Sequence, residues 1–146
     1  MKFLVLPTVM ETNVKKLLIA MMLLTTPAMS QTDITISKRH QMMQVDTDSG
    51  SYQFPVSTAR KGYYTPTGTF HPYSLQPMHY SRKYDMAPMP HSIFFSGGYA
   101  IHATPHTGAL GRPASHGCVR LSPANAAFLY GIVKNDKEGT TIRITN

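Results

Sequence analysis

Cys118 is the only cysteine among 146 residues. A lone thiol closes no internal disulfide, so the fold must be held by apolar packing and backbone pairing alone. The same fact narrows what the thiol is for: a small buried residue, a metal ligand or a nucleophile. Its surroundings, Ser115-His116-Gly117-Cys118-Val119-Arg120-Leu121, favour the nucleophile. Gly117 lets the backbone turn tightly and leaves room for a substrate carbonyl. His116, and His102 sixteen positions upstream, each offer an imidazole to draw the thiol proton.

The rest of the chain reads mainly as strands and turns. Ile34-Thr35-Ile36-Ser37 alternates with period two, and Gln41-Met42-Met43-Gln44-Val45 is its expected partner. Asp46-Thr47-Asp48-Ser49-Gly50 is a polar hairpin turn; its Asp-x-Asp-x-Gly pattern lacks the closing glutamate of a calcium loop. Tyr52-Gln53-Phe54-Pro55-Val56-Ser57 follows as a strand, with Pro55 marking an edge or a bulge. Thr65-Pro66-Thr67-Gly68-Thr69-Phe70 is a turn leading into a strand. Ile93-Phe94-Phe95 and Tyr99-Ala100-Ile101-His102 flank Ser96-Gly97-Gly98 as a short hairpin. One helix is expected. Ser122 caps it, Pro123 occupies its first position and the run continues through Tyr130, with Gly131 either ending it or letting Ile132 and Val133 extend it. Gly139-Thr140-Thr141-Ile142-Arg143-Ile144 closes the chain as a strand. One β-rich domain with one or few short helices results.

Residues 1–30 read as a cleavable export signal rather than as part of that domain. Lys15 and Lys16 precede the apolar Leu17-Leu18-Ile19-Ala20-Met21-Met22-Leu23-Leu24, which is too short to span a bilayer. Ala28 and Ser30 supply the two small positions of a cleavage site before Gln31. Met10 is an alternative start, since the sequence from Met10 to Lys16 makes a more usual opening for a leader. No cysteine near the cleavage point suggests a lipid anchor, so no stable membrane anchor is expected after cleavage. The mature domain, 31–146, is expected to be exported, with the periplasm as its destination. Beyond residue 30 there are eleven Lys and Arg against six Asp and Glu. That excess suits an anionic wall polymer or membrane face. Nucleic acid is disfavoured, because the cations are scattered in pairs such as Lys38-Arg39, Arg60-Lys61 and Arg82-Lys83.

The stretch from His102 to Leu121 resembles the catalytic signature of the YkuD-type L,D-transpeptidases. Their pattern is a histidine closing a strand, a loop, then Ser/Thr-His-Gly-Cys-apolar-Arg/Asn. Here it reads His102-Ala103-Thr104, Leu110-Gly111-Arg112-Pro113-Ala114 and Ser115-His116-Gly117-Cys118-Val119-Arg120. Pro55-Val56-Ser57-Thr58 is similar to the family's substrate-side strand, and Thr65-Pro66-Thr67-Gly68-Thr69-Phe70 to its Thr-Pro-x-Gly-x-Phe turn. The resemblance runs from about Ile34 to Ile144 and implies a β-sandwich-like catalytic domain.

The resemblance implies an acyl transfer on peptidoglycan stem peptides. Cys118 would form a thioester with the third stem residue, resolved by an amine in a transpeptidase or by water in a carboxypeptidase or a hydrolase that detaches wall protein. His102 would be the base, oriented by the Ala103 carbonyl. His116 would shape the loop and join Gly117 and Cys118 in offering backbone N–H groups to an oxyanion. Spacing alone leaves open which histidine is the base. Arg120, on the same side of a strand as Cys118, would clamp a substrate carboxylate or serve a structural ion pair. Ser115 would hold the loop. Tyr84, Met89 and Tyr99 either line the cleft or belong to the core. No cofactor is expected. His102, His106, His116 and Cys118 are residues of zinc-ligand type, but Thr104, Pro105 and Gly108 argue for a loop where a two-histidine site needs a helix. His40, His71, His79 and His91 are expected at the surface. A non-catalytic wall-binding domain is the remaining class.

Overall fold

The computed structural model describes residues 29–146. The leader expected over 1–30 lies, up to residue 28, outside the described residues, as does the alternative start at Met10. Among the described residues no helix is long and apolar enough to cross a membrane.

Nine strands form two sheets. β1 (Thr32–Ser37), β2 (Met42–Thr47) and β3 (Gly50–Pro55) make an antiparallel meander. β9 (Thr140–Thr145) pairs with β1 in parallel, and the short β4 (Gly68–Phe70) pairs with β9. The order in this sheet is β3-β2-β1-β9-β4, so Pro55 does end an edge strand. The second sheet has the order β5-β6-β7-β8, formed by β5 (Ser74–Ser81), β6 (Ala87–Ser96), β7 (Tyr99–Ala103) and β8 (Val119–Leu121). β7 and β8 run parallel, with Ile101 opposite Val119 and His102 opposite Arg120.

The two sheets share one apolar core. Ile34, Ile36, Met43, Val45, Ile142 and Ile144 enter from the first, and Ile93, Phe95, Ile101, Val119 and Leu121 from the second. The alternation of these residues along their strands is the period-two pattern of half-buried sheets. Helix α1 (Pro123–Asn135) packs on β6 and β7 and adds Ala126, Leu129 and Val133 to the core. Its start is as expected: the Ser122 hydroxyl accepts the Asn125 amide at 3.2 Å, and Pro123 occupies the first turn. The helix runs through Gly131 because Val133 beyond it is fully buried, and that burial outweighs glycine's low helix propensity.

One strand was not foreseen. β5 and the first half of β6 carry Pro77, Pro88 and Pro90, which read as strand breakers. They are tolerated because β7 pairs with β6 only from Ile93 onward, so residues 87–92 form a two-stranded ribbon with β5 and nothing else. A 3-10 turn at Arg82–Tyr84 forms the tip of this ribbon, followed by Asp85 and Met86 at positive φ of 50° and 56°. A second 3-10 turn, Thr107–Ala109, sits in the β7–β8 crossover.

Gly131 is exposed, and a Cβ built there meets nothing within 4 Å. Gly131→Ala should therefore stabilise the fold by about 0.5–1 kcal/mol. Thermal unfolding should show a higher midpoint; a lower one would mean that this turn is not regular helix.

Candidate active site

The alternation that builds the core also builds the site. Val119 and Leu121 point from β8 into the core, so Cys118 and Arg120 face the other side of the sheet. On β7, Ile101 and Ala103 point into the core, so Ala100 and His102 face the side that Cys118 faces. There Met89, Phe94 and Ala100 make a small second apolar cluster against which Cys118 packs. A cavity of about 980 Å³ opens over this face. It is lined by His102, Ser115, His116, Cys118 and Arg120 below and by residues 81–89 of the β5–β6 ribbon above.

His102 is 7% exposed, and its Nδ1 lies 2.8 Å from the Ala103 carbonyl oxygen. A carbonyl only accepts, so Nδ1 carries the proton and Nε2 keeps its lone pair. Burial lowers the His102 pKa to about 4, with Arg120 and His79 pushing the same way and the Ala103 hydrogen bond opposing them. The ring is therefore neutral at physiological pH. Burial also pushes the Cys118 thiol up, and this outweighs the Ala100 backbone hydrogen bond and the positive Arg120. The resting pair is a neutral thiol and a neutral imidazole.

Cys118 is held by its backbone. The Ser115 hydroxyl donates to the Cys118 carbonyl at 2.6 Å and accepts the Gly117 amide at 3.0 Å. Thr65 Oγ1 donates to the Gly117 carbonyl at 2.7 Å and accepts the Ala59 amide at 3.0 Å. In a planar trans peptide, C=O and N–H point in opposite directions. Tying the Gly117 carbonyl to Thr65 thus turns the Cys118 N–H away from Thr65. Gly117 itself has φ +138°, and a Cβ there would lie 2.7 Å from the Tyr99 ring and 2.8 Å from the Tyr64 carbonyl. No other residue fits that position.

This corrects one expectation. The Gly117 N–H is engaged by Ser115 and is not free for an oxyanion; among the described residues the amides of His116 and Cys118 are the ones in this loop left without an acceptor. His116 is not buried beside a carbonyl as His102 is. Its ring stacks between Tyr63 and Tyr84, with centroids 4.5 and 4.4 Å away. Burial first, then the charges of Arg60, Arg120 and Lys83, lower its pKa. Arg120 makes only a long hydrogen bond, 3.5 Å from Nη1 to the Ala114 carbonyl, and no carboxylate is among the groups that shift it. A structural ion pair is therefore not its role.

The other histidines divide. His40 and His71 are exposed, as expected. His79 is not a plain surface residue: it lines the cavity, packs edge-on against Phe94 and donates from Nδ1 to Gln76 Oε1 at 2.8 Å. His91 is half-buried against Tyr130. The expectation of a surface position for His79 fails because prolines mask its strand, β5, in the sequence. Tyr84, Met89 and Tyr99 all line the cavity, Met89 while also buried. His106 reaches the cavity from the crossover loop, but among the described residues no three His, Cys, Asp or Glu side chains converge as metal ligands. Thr65 had no assigned role in the sequence; its part emerges only from its contact with Gly117.

The depressed pKa of His102 links to stability. The unfolded imidazole binds a proton below about 6.5, whereas the folded one resists until about 4. The stabilisation is complete above 6.5 and is lost as pH falls toward 4, by about 3 kcal/mol. Denaturant unfolding at pH 7 and pH 4 should show that loss, and His102→Gln should shrink the pH-dependent part by that amount. An unchanged pH slope in the variant would mean that His102 is not buried neutral.

A family model for the L,D-transpeptidase catalytic domain, YkuD, matches residues 31–144. Among solved structures, an L,D-transpeptidase from Mycobacterium smegmatis aligns over 80% of this chain and 59% of its own, at 24% identity and a TM-score of 0.70. One from Mycobacterium tuberculosis aligns over 80% and 58%, at 21% identity and a TM-score of 0.72. One from Stackebrandtia nassauensis aligns over 80% and 56%, at 26% identity and a TM-score of 0.67. The chain thus spans less than two thirds of each of these relatives. No curated protein matches it. With two sheets around a shared core and one helix among the described residues, and a Ser-His-Gly-Cys loop lining a buried histidine's cavity, the match over 31–144 has its structural counterpart, and the chain belongs to the L,D-transpeptidase catalytic domain family.

Proposed function

We propose that the protein is an exported peptidoglycan L,D-transpeptidase with Cys118 as nucleophile and His102 as base. The observation that carries this is the His102 Nδ1 contact to the Ala103 carbonyl, which leaves the Nε2 lone pair available in the cavity that Cys118 lines. His116, stacked between two tyrosines and flanked by cations, is the weaker candidate for a base.

The sulfur attacks the carbonyl carbon of the third stem residue as His102 Nε2 takes the thiol proton. Because the resting pair is neutral, thiolate forms as the attack proceeds, and Arg120 favours it electrostatically. The N–H groups of Cys118 and His116 receive the developing oxyanion. The carbon–nitrogen bond then breaks, the departing D-amino acid takes the proton from His102, and a thioester remains on Cys118. An amine of a second stem peptide, or of a free D-amino acid, attacks that thioester, gives its proton to His102 and restores the thiol. Arg120, without a carboxylate of its own, holds a substrate carboxylate.

Incubation of the protein with tetrapeptide-rich peptidoglycan fragments, followed by mass spectrometry, tests the reaction. Products joined through two diaminopimelate residues are expected, and none with Cys118→Ala. Tripeptides alone would make the enzyme a carboxypeptidase. The rate at limiting substrate should hold down to about pH 4 and fall below it, since His102 must be neutral. An acid limb near 6.5 would move the base to an exposed imidazole.

Export rests on the leader pattern over 1–30, and the start of the family match at residue 31 supports a boundary there. Protein recovered from the periplasm should begin at Gln31; an intact leader on it would overturn the cleavage.

A further inference from the structure

Among the described residues the cavity is rimmed mostly by cations. Arg82, Lys83 and Arg120 line it, and Asp85 is the one acidic side chain that does so among the described residues. Two further contacts fix where the charge lies. The Arg60 guanidinium sits 4.9 Å over the Tyr63 ring, and Lys83 Nζ sits 5.5 Å from the Tyr84 ring. Tyr63 and Tyr84 are the two rings that enclose His116, at 4.5 and 4.4 Å.

Arg60, Tyr63, His116, Tyr84 and Lys83 therefore form one continuous column. It joins three separate parts of the chain: the segment after β3, the loop before β8 and the tip of the β5–β6 ribbon. Its middle member is two residues from Cys118. A cation over an aromatic face is held by its charge alone and keeps its N–H groups for another acceptor. Both column ends are exposed, so those groups reach solvent, and Lys83 does so on the cavity lining itself. The field of Arg60 and Lys83 converges with that of Arg120 on His116, as the depressed His116 pKa also indicates.

Such an arrangement fits neither a sugar nor an apolar ligand. The Tyr63 ring is already engaged by Arg60 and by His116, which leaves it less room as a stacking platform for a saccharide. It fits a peptide with more than one free carboxylate, because a guanidinium takes a carboxylate through paired hydrogen bonds and an ammonium takes one as a point charge.

We propose that Arg60 and Lys83 are substrate-binding residues that receive free carboxylates of a stem peptide lying across the Tyr63–His116–Tyr84 column, in addition to the carboxylate held at Arg120. This rests on the reading of the protein as a stem-peptide enzyme. It adds that recognition extends beyond the scissile residue to the acidic groups along the peptide. The column members are positioning residues for the two cations, and they tie substrate binding to the ribbon tip that carries Lys83 and Tyr84.

The test is calorimetric binding of stem tetrapeptide to Cys118→Ala protein, where no turnover intervenes. Arg60→Gln and Lys83→Gln, introduced singly into that background, should each weaken binding about fivefold at low salt, and by less as salt is raised. Arg60→Lys should recover most of the loss. Amidating the free carboxylates one at a time should abolish the effect of one substitution and spare the other. Both cations are exposed, so the variants should fold, and thermal unfolding verifies this. Equal affinities for parent and variants, a loss that persists with the fully amidated peptide, or no binding to the parent would each overturn the proposal. Failure of the transpeptidase reading would show separately, as absence of cross-linked product with the wild-type protein.

Discussion

The parallel pairing of β7 with β8 is the constraint on which the site depends. It sets Ile101 opposite Val119 and Ala103 opposite Leu121, and all four side chains enter the core. Once those are buried, the intervening residues have only the other face to occupy. His102 and Arg120, opposite each other in register, and Cys118 at the entrance to β8 are thereby assembled by the same burial that stabilises the domain. A slip of one residue would move every one of these side chains to the wrong face. The apolar residues that look like mere packing are thus what aims the reactive ones.

A second layer of control acts on the loop rather than on the strands. Gly117 adopts a backbone conformation and a closeness to Tyr99 and Tyr64 that exclude any side chain. Ser115 and Thr65 then fix the peptide groups on either side of it through two hydrogen bonds, and a third from Ser115 holds the Cys118 carbonyl. The orientation of the Cys118 amide follows from this grip. Thr65 comes from the turn that leads to β4, in the other sheet, so the loop is referenced to both halves of the sandwich.

The electrostatics of the cleft are uneven by construction. Burial keeps His102 neutral and the Cys118 thiol protonated, which suits proton transfer in concert with attack. The charges of Arg60, Lys83 and Arg120 all act on His116, and among the described residues Asp85 is the one acid on the cavity wall. The buried floor and the charged rim therefore differ. The floor holds an un-ionised imidazole and thiol, and the rim is positively charged.

Much of this was legible in the sequence. The period-two runs gave β1, β2, β3, β7 and β9 to within a few residues, and Ser122-Pro123 marked the start of α1. The lone cysteine and its Ser-His-Gly context pointed to the loop that lines the cavity, while spacing left both His102 and His116 open as its partner. β5 and early β6 were hidden because proline opposes strand pairing in general, and only the ribbon's unpaired side makes it acceptable here. With β5 went His79. Local pattern determined which residues alternate and which turn, since those preferences depend on neighbours along the chain. Which histidine is buried with its Nε2 lone pair left over, which loop amides are engaged and which cations border the cavity were decided only by the tertiary structure. Burial, hydrogen-bond partners and electric fields are set by groups distant in sequence, such as Thr65 on Gly117 and Tyr84 on His116, and no local pattern encodes them.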